Sequence, residues 1–344
     1  LRRQSPVEAA LAAVKLQAGL ARAHDPDWYV LADGLLGLRS TEEAFATRFR
    51  ENYRECAAGP DEEGSGPGVR CAVSLLAQWG VVLVEFEGSP APGDPEFPAR
   101  ILSLRHQPIP AERPGWWLAD PDHPVGEVAF ARDRVLMAAV GPWRAFAASL
   151  AVSRCLAAQP GILFFHGAAT RINGRGVLLL GVSGSGKTSV SLELASRGHG
   201  FFGDDIVGVR TASREIVPLR RSAHVRQGPS GPAVRAALSR SGPSGEGTRI
   251  RADVGTLFPA AAVGPATMDY VVCLRRFADR TRLEPFHPRA EDVRWLTPHA
   301  STLASGPLGR QAMRVVSLFA ASPCFFLDAA SPESAADSLE RLTE

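Results

Sequence analysis

The sequence predicts an α/β protein in two domains, a small α+β module over residues 1–140 and a larger α/β half over residues 141–344. Three observations carry this. A chain of 344 residues exceeds one typical hydrophobic core. Short β-branched runs bounded by Gly and Pro alternate with stretches of helical character along the whole length. In the C-terminal half an apolar strand, a glycine-rich loop and a helix follow without a break in "VLLLGVSGSGKTSVSLELAS", residues 177–196.

The N-terminal elements come first. Residues 6–23 have the pattern of an amphipathic helix, not of a cleaved leader, because the apolar positions are spread rather than compact. "TEEAFATRFRENYREC" (41–56) predicts a second helix, capped at Ser40 or Thr41. "AAGPDEEGSGPG" (57–68) is a Gly, Pro and acidic loop, and "WGVVLVEFEG" (79–88) a strand. "RILSLRH" and "GEVAFARDRVLMAAV" predict further short strands, with "GDPEFP" and "IPAERPG" as turns. No motif of this module carries chemistry.

"PWRAFAASLAVSRCLAAQ" (142–159) reads as a helix joining the two parts. "GILFFHGAAT" is a strand, "RINGRG" a turn and "VLLLG" a buried strand, followed by the glycine loop, a helix over about 187–197 and a strand ending in Asp204–Asp205. "GPSGPAVRAALSRSGPSGEGT" (228–248), rich in Gly, Ser and Pro, is expected to be a disordered connection or a mobile lid. "MDYVVCLRRF" and "RLEPFH" are strands, and "CFFLDAASPESAADSLERLTE" is a strand, a turn and a terminal helix.

The loop "GVSGSGKT", Gly181 to Thr188, fits the pattern G-x-x-x-x-G-K-[ST]. Glycines let the backbone turn with positive φ and approach an anion with no Cβ in the way. Successive N–H groups then form an anion-binding nest, and the following helix adds its N-terminal partial charge. The chain has only two lysines, Lys15 and Lys187, and one of them falls on the required position. Lys187 reaches β- and γ-phosphates in such loops, and the Thr188 hydroxyl suits Mg²⁺. The expected nucleotide-binding set is Gly181, Ser183, Gly184, Ser185, Gly186, Lys187, Thr188 and Ser189. Asp204 and Asp205 follow a short aromatic strand just past the loop helix. One carboxylate there can hold Mg²⁺ and a second can accept a proton from an attacking hydroxyl. His166 follows the strand "ILFF"; taken alone, a histidine there is more often a core residue than a functional one.

Residues 164–205 together resemble the catalytic half of the bacterial HPr kinase/phosphorylase family. The match runs through His166-Gly167, Gly174–Gly176, the loop Gly181–Thr188, Leu192–Leu194, Arg197–His199 and Asp204–Asp205. The resemblance implies a phosphate loop on a mixed sheet similar to phosphoenolpyruvate carboxykinase rather than on a doubly wound core. It implies γ-phosphate transfer to a serine hydroxyl, with Asp204 as proton acceptor, Asp205 nearer the metal alongside Thr188, and His166 and Lys187 at the catalytic centre. The family's downstream Glu-Ile-Arg-Gly signature is not found, and the N-terminal module does not read as the family's usual partner domain. A related kinase with another acceptor therefore fits better than a bifunctional sugar-regulation enzyme. "DYVVCLRR" and "CFFLDAASPESAADSLERL" resemble the tail of HPr-kinase-related proteins found beside peptide-modifying genes.

Three functions remain open: a kinase for a Ser or Thr hydroxyl of a peptide or small protein, with residues 1–140 as its docking module; a small-molecule hydroxyl kinase; and a nucleotide-sensing regulator without transfer. ATP and Mg²⁺ are the expected cofactors, with GTP not distinguished from ATP. Of Arg220, Arg221, Arg226, Arg251 and Arg275, Arg226 is favoured as a phosphate clamp. A net charge of +2 and the absence of a basic tract argue against nucleic acid and membrane partners. Five scattered cysteines, never CxxC, suggest neither a disulfide framework nor a zinc site, and with no long apolar run the reading is a reduced, soluble, cytoplasmic protein. A homo-oligomer is compatible with the sequence.

Overall fold

In the computed structural model the chain divides into two compact units, Leu1–Pro160 with Thr302–Pro307, and Gly161–Ser301 with Leu308–Glu344. The residues described are 26–40, 43–58, 69–76, 81–87, 107–110, 116–120, 123–130, 134–138, 152, 155, 156, 159, 161–226, 230–240, 249–289, 292 and 308–344. Of the expected elements, the helix over 6–23, the strand "RILSLRH" and the turn "GDPEFP" lie outside them, as do most of 57–68 and of 142–159.

In the first unit the strands are β1 (Asp27–Leu31), β2 (Gly34–Ser40), β3 (Val69–Leu76), β4 (Val81–Glu87), β5 (Gln107–Pro110), β6 (Trp116–Asp120), β7 (His123–Phe130) and β8 (Arg134–Ala138). They form one sheet in the order β1-β2-β3-β4-β8-β7-β6-β5. Among the described residues of this sheet only the β2–β3 pairing is parallel. The parallel pair needs a crossover, and helix α1 (Glu43–Asn52) lies in that connection. It is shorter than the predicted 41–56, ending in a 3₁₀ turn at Arg54–Cys56. Its Phe49 stacks on Tyr53 and meets the edge of Tyr29. "IPAERPG" begins as strand, not turn, because Ile109 and Pro110 pair with Trp117 and Trp116.

The second unit carries the glycine loop. Its elements begin with β9 (Ile162–Phe165), β10 (Ala168–Ile172), β11 (Arg175–Leu180), helix α2 (Lys187–Ser196), β12 (Gly200–Asp204), β13 (Val207–Arg210), β14 (Glu215–Val217) and β15 (Ala223–Arg226). There follow α3 (Pro232–Arg240), β16 (Arg249–Ala252), α4 (Val254–Leu257), β17 (Ala266–Phe277), β18 (Arg282–Phe286), α5 (Leu308–Ala320), β19 (Cys324–Ala329) and α6 (Pro332–Thr343). Among the described residues a nine-stranded sheet runs β12-β10-β11-β17-β14-β13-β9, with β19 on β17 and β18 on β19. Pairings β11–β17 and β17–β19 are parallel and the others antiparallel, so the sheet is mixed. The unit is α/β with a mixed sheet, as expected.

The mixed order places the site. Strands β11 and β12 run the same way on either side of β10, and Ala168 lies opposite both Leu179 and Asp204. The start of the glycine loop, the aspartate pair and the turn holding His166 therefore share one edge of the sheet.

Helix α2 is buried on most sides, and its apolar residues Val190, Leu192, Leu194 and Ala195 face two different neighbours. Val190 and Leu194 pack with Ala335, Ala336 and Leu339 of α6, while Leu192 and Ala195 pack with Val234 and Leu238 of α3. The 228–248 stretch is thus not a lid throughout. "PAVRAALSR" forms α3, with Pro at its first position and Val234, Ala237 and Leu238 on a buried face. Its Gly, Ser and Pro flanks hid that short apolar stripe. Residues 241–248 lie outside the described set. Helices α4 and α5, strands β13 to β16, and β1, β2, β3, β5 and β6 were not anticipated.

The Arg197-Gly198-His199 segment ties this arrangement together. Gly198 ends α2 with φ +88°. Arg197 donates to Glu193, Asp337 and Glu340, and His199 meets Glu340 at 2.7 Å. These residues clamp α6 to α2 and lie in the scaffold behind the loop.

Candidate active site

Strand β11 delivers the chain to Gly181, where φ is +149°. A Cβ there would lie 2.4 Å from the Leu274 carbonyl oxygen and 2.5 Å from Ser185 Oγ, so only glycine fits. Gly186, with φ +99°, forms the N-cap of α2, and a Cβ on it would meet the Phe277 ring at 2.6 Å. The loop is therefore packed from below by β17 and open above. No acidic residue lies within the first turn of α2, and the carboxylate near its positive end is that of Asp204, beyond the helix.

Two polar side chains of the loop are buried, Lys187 and Ser185. Lys187 is buried, and its ammonium donates to the carbonyls of Gly181 at 2.6 Å and Val182 at 3.1 Å. Burial pushes its pKa down, and the Asp204 charge pushes it back up. Ser185 Oγ is buried with no hydrogen-bond partner. An orphan hydroxyl costs free energy unless something completes it, and a phosphate oxygen is of the right kind.

Thr188 Oγ1 donates to Asp204 Oδ2 at 2.9 Å. Asp204 ends β12 with 4% exposure. Burial raises its carboxyl above the ordinary range, while the Thr188 hydrogen bond and the charges of Arg221, Lys187 and His166 pull it down. A buried carboxylate beside two cations and a histidine suits proton transfer.

Asp205 leaves the strand with φ +68°, in the left-handed region, and its side chain turns another way. Its Oδ1 lies 2.9 Å from His166 Nδ1, and its Oδ2 pairs with Arg221. His166 Nδ1 also lies 3.1 Å from the Asp205 carbonyl oxygen. Both neighbours of that nitrogen are acceptors, so it carries the proton and Nε2 is left as an acceptor. Burial, Lys187 and Arg221 lower the His166 pKa against the opposing pull of Asp204, which keeps the ring neutral near pH 7.

The structure thus brings together Gly181 to Ser189, His166, Asp204 and Asp205. Asp205, which the resemblance sets nearer the metal, faces His166 and Arg221, whereas the Thr188 hydroxyl meets Asp204. The favoured clamp, Arg226, ends β15, and its side chain lies outside the described residues. Arg275 is paired with Asp328 and Glu284. Arg221, which the sequence ranks behind Arg226, is seated at the aspartates. Its neighbour relation to Asp205 exists only after β12 and the turn that follows are folded.

Among the described residues no three His, Cys, Asp or Glu side chains gather as a metal site. The Thr188 hydroxyl beside one carboxylate is still the donor set that Mg²⁺ uses when phosphate oxygens and water complete its shell. The residues present fit that kind of ion.

A nest of loop amides with a buried lysine and a metal-type hydroxyl beside a carboxylate defines a phosphate-loop, nucleotide-binding class of site. Residues 161–226 match the family model described as the HPr Serine kinase C-terminal domain. An HPr kinase/phosphorylase of Chlorobium phaeovibrioides is 48% identical over 46 residues, 13% of this chain and 14% of that protein. The HPr kinase/phosphorylase of Leptothrix cholodnii is 48% identical over 55 residues, 16% of this chain and 17% of that one. The solved HPr(Ser) kinase/phosphatase of Coxiella burnetii is 22% identical, over 32% of this chain and 58% of that one, with a TM-score of 0.22. The segment that builds the site is HPr kinase-related, and the chain spans 14% and 17% of the length of those two curated relatives.

Proposed function

We propose that the second unit is an ATP-dependent kinase that transfers the γ-phosphate to a Ser or Thr hydroxyl of a peptide or small protein. The observation that carries this is Asp204, a buried carboxylate with raised pKa, hydrogen-bonded to Thr188 and surrounded by Lys187, His166 and Arg221. A protein that only senses nucleotide has no use for a proton acceptor at this place.

In the proposed reaction the acceptor hydroxyl gives its proton to Asp204. Its oxygen forms the new bond to the γ-phosphorus as the bond to the β–γ bridging oxygen breaks, and ADP leaves. Lys187 moves from the Gly181 and Val182 carbonyls to the β- and γ-phosphates, where its charge meets the transferring group. Ser185 and the loop amides hold the inner phosphates. Mg²⁺, when bound, neutralises phosphate charge; Thr188 would hold it together with one carboxylate of the pair. Neutral His166 orients Asp205 through Nδ1–H. The docking role expected of residues 1–140 belongs to this proposal.

The test is the purified full chain with labelled ATP and Mg²⁺, offered first a panel of Ser- and Thr-containing peptides and then a panel of hydroxylated metabolites, with Lys187→Ala as control. Labelling of a peptide, lost in the variant, supports the proposal. Labelling of a metabolite and never a peptide moves the acceptor to a small molecule. Transfer that persists unchanged in Lys187→Ala overturns the reading of the loop.

A further inference from the structure

We propose that Arg221 is the second phosphate-binding cation of the site and takes the terminal phosphoryl group of the nucleotide whose inner phosphates lie on the loop and Lys187. This rests on the nucleotide reading above.

The groups form a sequence in space. Lys187 sits on the loop carbonyls, Thr188 reaches Asp204, and Asp205 follows Asp204 and pairs with Arg221. Lys187 and Arg221 both act on Asp204 and on His166 through their charges, so both cations lie close to that pair. A phosphate chain entering along the loop meets Lys187 first, and its far end arrives beside Arg221.

The guanidinium is also incompletely used. Arg221 has only 19% of its side chain exposed. Its Nη2 pairs with Asp205 Oδ2, but its Nε–H is buried with no acceptor. Nε–H and Nη2 form one edge of the planar fork, the edge that carboxylates and phosphates engage with two parallel bonds. Asp205 supplies one oxygen only, because its Oδ1 faces His166. A phosphoryl group, with three oxygens and more charge, completes the edge that Asp205 leaves half open.

The backbone seat is rigid. Arg221 N–H donates to the Leu219 carbonyl, and Leu219 N–H donates to Phe202 of β12. A Cβ on Gly203 would lie 2.7 Å from the Leu219 oxygen, so this turn is pressed against the strand that bears Asp204. A cation mounted this way holds its place as charge moves during transfer.

The experiment compares the dissociation constants of a non-hydrolysable ATP analogue and of ADP, both at saturating Mg²⁺, for wild type, Arg221→Ala, Arg221→Lys and Asp205→Asn. Loss of a charge-assisted fork to the terminal phosphate is expected to weaken the analogue roughly 10- to 100-fold in Arg221→Ala and leave ADP within about 3-fold. Arg221→Lys keeps the charge without the fork, is expected to lie between, and carries the test if the alanine variant does not fold. Asp205→Asn breaks the same ion pair yet frees the fork, so the preference for the analogue should persist. Equal weakening of both nucleotides, or none, in a folded Arg221 variant overturns the proposal, as does an Asp205→Asn profile identical to that of Arg221→Ala. The preference is measured without an acceptor, so its loss supports the role of Arg221 even if no substrate is ever labelled. A wild-type chain that binds neither nucleotide overturns this proposal and the reading of the loop together.

Discussion

Replacing Asp204 by Asn removes one negative charge and the proton acceptor while keeping an oxygen for the Thr188 hydroxyl, now 2.9 Å from Oδ2. The local fold is therefore expected to survive. Asp204 is 4% exposed and its burial already disfavours the charged form, so neutralising it should leave Tm unchanged or raise it. Nucleotide binding should be retained, since a carboxylate beside the phosphates has gone. Transfer should fall by roughly 10²- to 10⁴-fold, the range for a positioned base, equivalent to about 3–5 kcal/mol of barrier. The pH dependence has a definite sign. A base must be ionised, and a raised carboxyl pKa moves the acid limb of the rate profile upward from the ordinary carboxylate range; that limb should vanish in the variant. The assay is steady-state transfer to whichever acceptor the panels identify, across pH, with nucleotide affinity and Tm measured in parallel. Transfer within about 3-fold of wild type would refute the role of Asp204. Loss of Mg²⁺-dependent nucleotide binding in Asp204→Asn, with Asp205→Asn mild, would show that the Thr188 contact marks the metal carboxylate and that the two roles are exchanged.

The remaining predictions concern the supporting residues. His166→Ala should slow transfer and move the acid limb to higher pH, because protonated His166 no longer lowers the Asp204 pKa. Its own folded pKa is depressed, so it contributes stability that is present above its unfolded pKa and lost as pH falls; the variant should lose that part of the acid dependence in thermal melts. Wild-type kinetics with reduced Tm would make His166 a packing residue only. Gly186→Ala should cost about 1–3 kcal/mol, from positive φ and the Phe277 contact, and weaken nucleotide binding. An unchanged Tm and affinity would show that the Phe277 ring yields freely.

What the sequence determined by itself is local. The run from Gly181 to Ser196 states its chemistry because glycine, lysine and hydroxyl must stand at fixed spacing in one turn and the helix after it. Strands 162–165 and 266–277 are legible as apolar runs, and the terminal helix as a Ser-Pro start followed by an apolar stripe. The lysine of the loop stands out because the chain has only one other. Elsewhere local signals were weak: α3 lay between Gly, Ser and Pro clusters, and nine residues with three buried apolar positions make a faint stripe.

The tertiary structure decided the rest, because it depends on pairings between distant residues. The parallel register of β11 with β17 joins Leu180 to Cys273, and no periodicity in either strand specifies its partner. Which aspartate meets Thr188 follows from Ala168 lying opposite Asp204 and from the left-handed turn at Asp205; the resemblance sets Asp205 beside Thr188. Among five arginines the sequence favours Arg226, and the folded chain seats Arg221 against Asp205. A charge acquires its role from what it is buried beside, and that neighbour is set by the sheet order, not by the residue's own position in the chain.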